Sequence, residues 1–145
     1  MIERQYCASA YTIDFTNGNV LLMYNKKLNK WLQPGGHIEG FEEPHETAIR
    51  EIFEETGINI KIIGPSFKDG KFEPIATERY INKVGDMIDI QYLAIPIDII
   101  LNNNEKNETK WYPINELKDA TDVDEEIKNK VIKLYNEYKN NFNNF

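Results

Sequence analysis

Residues 36–58 read GHIEGFEEPHETAIREIFEETGI, and they contain the most informative pattern of the 145-residue chain. Three acidic residues, Glu51, Glu54 and Glu55, stand at positions i, i+3 and i+4. A helix with 3.6 residues per turn places all three carboxylates on one face. Like charges at that spacing destabilise an isolated helix by roughly 0.2–0.5 kcal/mol per pair, so a bound cation would turn the repulsion into a binding site. Clustered carboxylate oxygens suit Mg2+ or Mn2+.

The sequence around these glutamates resembles the signature motif of the Nudix family. It reads G-x5-E-x7-R-E-I-x-E-E-x-G-I, and nine specified positions agree with that motif: Gly36, Glu42, Arg50, Glu51, Ile52, Glu54, Glu55, Gly57 and Ile58. An extended pattern is far more specific than a short one. The resemblance implies an α/β protein, the Nudix α/β/α sandwich with a mixed β-sheet between helices, in a single domain over residues 1–145. It also implies Mg2+-dependent hydrolysis of a nucleoside diphosphate linked to another group.

The resemblance further implies roles for individual side chains of the motif. Its metal ligands would be the backbone carbonyl of Gly36 and the carboxylates of Glu51, Glu54 and Glu55, which are also the candidate catalytic groups. Arg50 would orient them and Glu42 would support it, because a guanidinium grips a carboxylate through two hydrogen bonds. The alternative is a solvated acidic helix face on which Arg50 pairs with Glu46 or Glu54.

The group that accepts the proton of the attacking water is left open by the sequence. One of the glutamates of the motif could take it. In several members of the family, an acidic residue from a loop outside the motif contributes instead. Here that loop would be residues 101–110, which offer Glu105 and Glu108 as catalytic candidates. Both are also typical of solvent-exposed loop residues.

Substrate contacts are predicted less specifically. His37 follows the pair Gly35–Gly36, for which we predict a tight turn, and could touch a phosphate. Base binding or stacking could involve residues from the later strands, although aromatic residues at strand spacing are more often core; the candidates are Phe72, Arg79, Tyr80 and Trp111. Pro74 resembles a marker of the ADP-ribose-cleaving branch of the family. A nucleotide sugar such as ADP-ribose is therefore the leading substrate class.

Two other functions remain as alternatives. The first is a (d)NTP pyrophosphohydrolase of the MutT type. The second is a nucleotide-sensing domain without catalysis, which is disfavoured because every position of the motif is intact. An isopentenyl-type isomerase is disfavoured because no cysteine stands beside the motif.

Composition and charge limit the partners. The net charge of −7 argues against a nucleic-acid partner, because phosphate backbones are bound by basic surfaces. No apolar run approaches the ~20 residues that a membrane-spanning helix needs, and the chain does not begin with a signal-peptide pattern. The one cysteine, Cys7, permits no internal disulfide and is predicted to be a buried structural thiol. We expect a cytoplasmic protein acting on a small phosphorylated nucleotide-type substrate, without nucleic-acid or membrane partners; homodimerisation is left open.

Hydrophobic patterning predicts strands interleaved with two main helices. A hairpin is expected at Asn17–Gly18–Asn19, since Asn-Gly between apolar runs favours a two-residue turn. In the motif helix, Ile49, Ile52, Phe53 and Thr56 are expected to pack on the sheet. The strands are predicted over residues 6–15, 20–24, 58–63, 72–82, 87–97 and 110–112, and the second main helix over residues 122–139.

Overall fold

In the part of the chain that the structure describes, eight strands and three helices follow one another. The structure is a computed structural model that describes residues 3–64, 72–82, 85–102 and 108–142. Its elements, in chain order, are β1 (Gln5–Asp14), β2 (Asn19–Asn25), β3 (Lys30–Leu32), β4 (Gly35–His37), α1 (Pro44–Thr56), β5 (Ile60–Ile63), β6 (Ala76–Asn82), β7 (Gly85–Pro96), β8 (Thr109–Pro113), α2 (Ile114–Leu117) and α3 (Glu125–Phe142). In these ranges, none of the helices combines the length and apolarity that crossing a membrane requires.

The strands form a mixed sheet centred on one parallel pair. β1 and β7 run parallel from the pair Gln5–Met87 to the pair Thr12–Ala94. The other pairings are antiparallel: β1 with β2 and β4, β7 with β5 and β6, and β2 with β3 and β8. Parallel strands need a long crossover and cover on both faces, and the segment between β1 and β7 includes α1.

The two faces of β1 contact different helices, because successive side chains of a strand point to opposite sides. On one face, Ala8 and Ala10 belong to a buried cluster with Ile52 of α1. On the other face, Tyr11 belongs to a second cluster with Val131 of α3. The sheet therefore lies between helices, and the predicted three-layer α/β architecture is confirmed.

The ends of α1 are fixed by local chemistry. Pro44 occupies the first helical turn, where its missing N–H costs nothing, and Glu46 accepts a hydrogen bond from the backbone N–H of Glu43 at 3.0 Å. Gly57 has φ 77° and its N–H donates to the carbonyl of Phe53 at 2.8 Å, which ends the helix in a left-handed residue. These signals set where the helix starts and stops, and hence which residues of the motif face the sheet edge.

Several sequence expectations are corrected by the structure. Gly35–Gly36 is not a tight turn but part of β4, which pairs with β1 through Ala8 opposite Gly36. Phe53 does not pack on the sheet and is 49% exposed. The side chain next to Ile52 lies about 100° around the helix from it, so the buried stripe continues at Thr56 instead. Residues 72–75 precede β6 and do not belong to it, and the last helix begins at Glu125.

Candidate active site

The two glycines of β4 allow close approach on two sides: Gly35 faces β1, and Gly36 faces Glu51 of α1. A Cβ atom on Gly36 would lie 2.4 Å from Cδ of Glu51, and one on Gly35 would lie 2.4 Å from the carbonyl oxygen of Ala8. Such separations are far below van der Waals contact, so a side chain at position 35 would clash with the backbone of β1, and one at position 36 would displace the Glu51 carboxylate. The backbone of Gly35 also hydrogen-bonds Glu55. Gly35 and Gly36 therefore contribute only backbone groups to the space beside both carboxylates.

Arg50 connects the acidic residues of the motif. Its Nε and Nη2 donate to the two carboxylate oxygens of Glu42 at 2.6 and 2.9 Å. Its Nη1 donates to Glu51 at 2.8 Å and to Glu54 at 3.2 Å, and Nη2 also reaches the carbonyl of His37 at 3.2 Å. Because a two-point grip fixes direction as well as distance, Arg50 holds Glu51 against the sheet edge.

The Arg50–Glu42 pair is charged near neutral pH. The hydrogen bonds from Arg50 are the main cause that lowers the pKa of Glu42 to about 2, and the backbone N–H of Glu39 and the hydroxyl of Thr47 assist. The hydrogen bond to Glu42 in turn raises the pKa of Arg50 above its ordinary value. The sequence allows two interpretations of Arg50, as an orienting residue or as the partner of a glutamate four residues away. The structure contains both kinds of contact, one with Glu51 and one with Glu54.

Glu55 has the opposite environment, because it is largely buried beside the acidic residues Glu51 and Glu54. Burial is the largest cause that raises its pKa to about 8, followed by the negative charge of Glu51 and a hydrogen bond with that residue. Among the described residues, Oε2 of Glu55 has no hydrogen-bond partner. A buried acceptor left unpaired costs about 1–3 kcal/mol. A cation beside that oxygen would remove the cost.

The residues at this edge fit a divalent cation by the chemistry of their oxygens. Mg2+ is bound through a few carboxylates together with water and substrate phosphates. Glu51 and Glu55 line a cleft, whereas Glu54 is 56% exposed and lies against Arg50. Within the part of the chain that the structure describes, no three acidic, histidine or cysteine side chains already form a metal cage. The unpaired Glu55 oxygen is the feature that favours a cation here.

The cleft beside these glutamates has a volume of about 400 Å³. Its polar lining includes Tyr80, which the sequence offers as a candidate, and Ser9, Gln33 and Asp89, which sequence reasoning missed. Apolar side chains complete it, among them Leu28, Leu32, Met87 and Ile127. One signal was present in the sequence: Asp89 interrupts the apolar run of a central strand, where a carboxylate is rare unless it has a task.

The other predicted substrate contacts lie in different places. His37 lines the cleft, and so does Tyr80. Arg79 is paired with Asp86 through two contacts of 3.1 Å, and the indole N–H of Trp111 donates to the carbonyl of Ile99 at 2.9 Å. Neither of these residues is part of the cleft lining. Phe72 stacks on His45 with ring centroids 4.1 Å apart.

The structure describes one of the two loop residues that the sequence offers for proton acceptance. Glu108 is exposed just before β8 and is not part of the cleft lining. Glu105 lies outside the described residues.

Cys7 is buried, and burial raises the pKa of its thiol to about 11, so it is protonated near neutral pH. This agrees with the predicted structural thiol.

The raised pKa of Glu55 predicts a pH-dependent stability. A carboxyl whose pKa in the folded state exceeds its ordinary value stabilises the fold fully below that ordinary value, and the contribution is lost as the pH rises through the folded pKa of about 8. The metal-free protein should therefore lose free energy of unfolding between about pH 5 and about pH 8. Glu55→Gln should remove this part of the loss, because glutamine does not titrate. Denaturant unfolding in EDTA at both pH values checks it, and equal pH dependence in the two proteins would contradict it. Burial also raises the pKa of Asp89, but Asp89 is present in both the wild-type protein and Glu55→Gln. Its contribution to the pH dependence therefore cancels in the comparison.

The arrangement agrees with one known family. The family model described as NUDIX domain matches residues 4–135, so the chain belongs to the Nudix family. It is 32% identical over 108 residues to the uncharacterized Nudix hydrolase YvcI of Bacillus subtilis (strain 168), covering 70% of this chain and 63% of that protein. It is 45% identical over 49 residues to nucleoside diphosphate-linked moiety X motif 6 of Xenopus laevis, covering 32% of this chain and 23% of that protein. The matches thus span less than two thirds of these curated relatives.

A solved structure supports the same assignment over nearly the whole fold. The crystal structure of a Nudix-family hydrolase from Clostridium perfringens superposes with a TM-score of 0.80 at 27% identity. The superposition covers 93% of this chain and 98% of that one. The resemblance and the fold class inferred from the sequence are therefore both confirmed.

Proposed function

We propose that this chain hydrolyses a phosphoanhydride bond in a nucleoside diphosphate derivative, assisted by Mg2+ or Mn2+. One observation carries the proposal: Arg50 holds Glu51 beside Gly36 of β4, while Glu55 keeps a buried oxygen unpaired in the same cleft. In this proposal the carbonyl of Gly36 and the carboxylates of Glu51, Glu54 and Glu55 hold the cation. Membership of a hydrolase family supports the reaction class.

A bound cation would screen the phosphate charges, lower the pKa of water and stabilise the leaving oxygen. The protein's own groups supply the positioning. Arg50 keeps Glu51 directed at the sheet edge, and its charge is secured by Glu42. Rigid support of this kind matters because a displaced carboxylate loses much of its effect on the reaction.

In the proposed reaction, a water oxygen bonds to phosphorus, the bridging P–O bond breaks, and the water proton passes to a carboxylate before it reaches the leaving phosphate. We assign proton acceptance to Glu51 or Glu55, the two glutamates of the motif that line the cleft, acting in the ionised form that a bound cation favours. Glu108 is less suited, since it is exposed and is absent from the cleft lining. Glu105 remains a candidate from the sequence alone.

The substrate class is the finer part of the proposal. A nucleotide sugar such as ADP-ribose was favoured by Pro74, but this residue is exposed ahead of β6 and does not line the cleft. A nucleoside triphosphate, as in the MutT type, is therefore an equal candidate. The cytoplasmic location and the absence of nucleic-acid partners also remain proposals, since they rest on charge and cysteine content.

A substrate panel in Mg2+ tests the proposal and separates its branches. We expect turnover of ADP-ribose to AMP and ribose 5-phosphate, or of a triphosphate such as GTP or ATP to the monophosphate and pyrophosphate. Product identity is read by chromatography, because phosphate release alone does not distinguish the two. Addition of EDTA should abolish turnover. Tight nucleotide binding without turnover in Mg2+ or Mn2+ would instead favour the sensing domain.

A further inference from the structure

A second polar group lies in the cleft, away from the glutamates of α1. Asp89 of β7 is only 6% exposed. Its Oδ2 accepts hydrogen bonds from the hydroxyl of Ser9 at 2.8 Å and from the amides of Gln91 at 3.1 Å and Gln33 at 3.2 Å. Its Oδ1 has no partner among the described residues, and neither has Oε1 of Gln33. Oδ2 of Asp89 thus accepts three hydrogen bonds, whereas Oδ1 of Asp89 and Oε1 of Gln33 accept none from the described residues.

Hydrogen bonds from other residues fix the orientation of the Gln91 side-chain amide, which is one of the donors to Asp89. The side-chain oxygen of Gln91 accepts from Nζ of Lys130 at 3.0 Å and from the hydroxyl of Tyr11 at 3.3 Å. A lysine ammonium can only donate, so the amide oxygen must face it and the amide nitrogen must face Asp89 and Tyr80. That nitrogen donates to the hydroxyl of Tyr80 at 2.8 Å. The Tyr80 hydroxyl also has a hydrogen bond with the side chain of Gln33, in which Gln33 donates because its own oxygen is unpaired. Since its oxygen accepts in both contacts, the Tyr80 hydroxyl keeps its proton for another partner.

The sheet sets this group at a defined distance from the metal-binding edge. Asp89 lies opposite Cys7 of β1, and Cys7 lies opposite His37 of β4. Two strand spacings, about 10 Å, therefore separate the β4 edge from Asp89. This is comparable with the reach of a nucleotide from its phosphate to the far edge of its base. Leu32 and Met87 also line the cleft and offer apolar surface to a flat ring.

We propose that Asp89, Gln33 and Tyr80 form the base-binding end of the cleft and select a guanine-type edge. Two unpaired acceptors and one hydroxyl donor match the N–H, the adjacent amino group and the carbonyl oxygen of that edge. Adenine and cytosine place a ring acceptor beside their amino group, and uracil flanks one N–H with two carbonyls, so each would oppose the carboxylate. The inference rests on the proposed function, because it extends the same cleft.

The test uses nucleoside monophosphates, which contain no phosphoanhydride and so bind whether or not the protein is a hydrolase. Calorimetry in Mg2+ should show GMP binding about 10- to 100-fold more tightly than AMP, CMP or UMP. Asp89→Asn should reduce this preference to near unity, because one acceptor becomes a donor. Asp86→Asn changes a partly buried carboxylate of the same strand that pairs with Arg79 outside the cleft lining, and it should keep the preference. Neopterin carries the same guanine-type edge on a pterin ring. Comparing the binding of neopterin with that of guanosine therefore shows whether the site prefers a pterin or a purine.

A second variant protects the test against misfolding. Tyr80→Phe removes only the hydroxyl, and it should weaken GMP binding while thermal unfolding remains a single transition. Equal binding of the four monophosphates by the wild-type protein would overturn the proposal. It would also be overturned if Asp89→Asn lowered kcat equally for GTP and ATP and left the base preference unchanged, because Asp89 would then act on the reaction and not on the base. Absent hydrolysis with preserved GMP preference would sink the proposed function alone.

Discussion

Glu55→Gln is expected to lower kcat by on the order of 10³-fold, because it removes the negative charge from a carboxylate that is buried beside the proposed metal. The fold should survive the change. Glutamine has the same shape, and burial already disfavours the charged form of Glu55, as its raised pKa of about 8 shows. The side chain lines the cleft and has a buried oxygen, so the variant tests a charge that is largely shielded from solvent. Steady-state kinetics with the best substrate of the panel, together with Mg2+ titration, measure the effect.

Two matched variants sharpen the interpretation of that loss. Glu54→Gln should have a smaller effect than Glu55→Gln, since Glu54 is 56% exposed and pairs with Arg50. Glu116→Gln changes an exposed glutamate of α2 and should leave kcat near the wild-type value. Wild-type activity in Glu55→Gln, at saturating Mg2+ and with the fold intact, would remove Glu55 from the reaction and with it the metal assignment.

The features that could be predicted from the sequence are those set by short-range chemistry. The limits of α1 follow from Pro44 and Gly57, and the spacing of Arg50 and its acidic neighbours follows from the helical period. The buried strands were found because apolar residues are concentrated in them. Each of these signals lies within about one helical turn or one strand of the residue concerned, so one sequence is enough to recognise it.

What could not be predicted depends on contacts between distant segments. Gly35–Gly36 has the composition of a turn, but pairing with Ala8 makes it a strand, and that pairing brings Glu51 to the sheet edge. Asp89 lies in the cleft because β7 pairs in parallel with β1, and no local sequence pattern predicts that pairing. Tertiary pairing overrides local preference in such cases. The helix of the motif was thus predictable, whereas the far end of the cleft required the sheet.

Arg50→Lys is expected to lower kcat/KM by about 10- to 100-fold, although the positive charge is retained. Lysine offers a single ammonium, and it cannot hold both oxygens of Glu42 while also reaching Glu51 and Glu54. Glu51 would then lose its fixed direction, and the apparent affinity for Mg2+ should fall with it. The measurement is a set of kcat/KM values at several Mg2+ concentrations.

A double-mutant cycle shows whether Arg50 acts through its partner. If Glu42 works by holding Arg50, the losses in Glu42→Gln and Arg50→Lys should not add, and the double variant should be only slightly worse than Arg50→Lys alone. Arg4→Lys, which alters an exposed arginine paired with Asp86 away from the cleft, should retain full activity. Additive losses would mean that the two residues act independently, and a silent Arg50→Lys would mean that charge alone is required. Either result would replace an orienting guanidinium with a simpler electrostatic role, because only the planar two-point grip links the direction of Glu51 to the charge of Glu42.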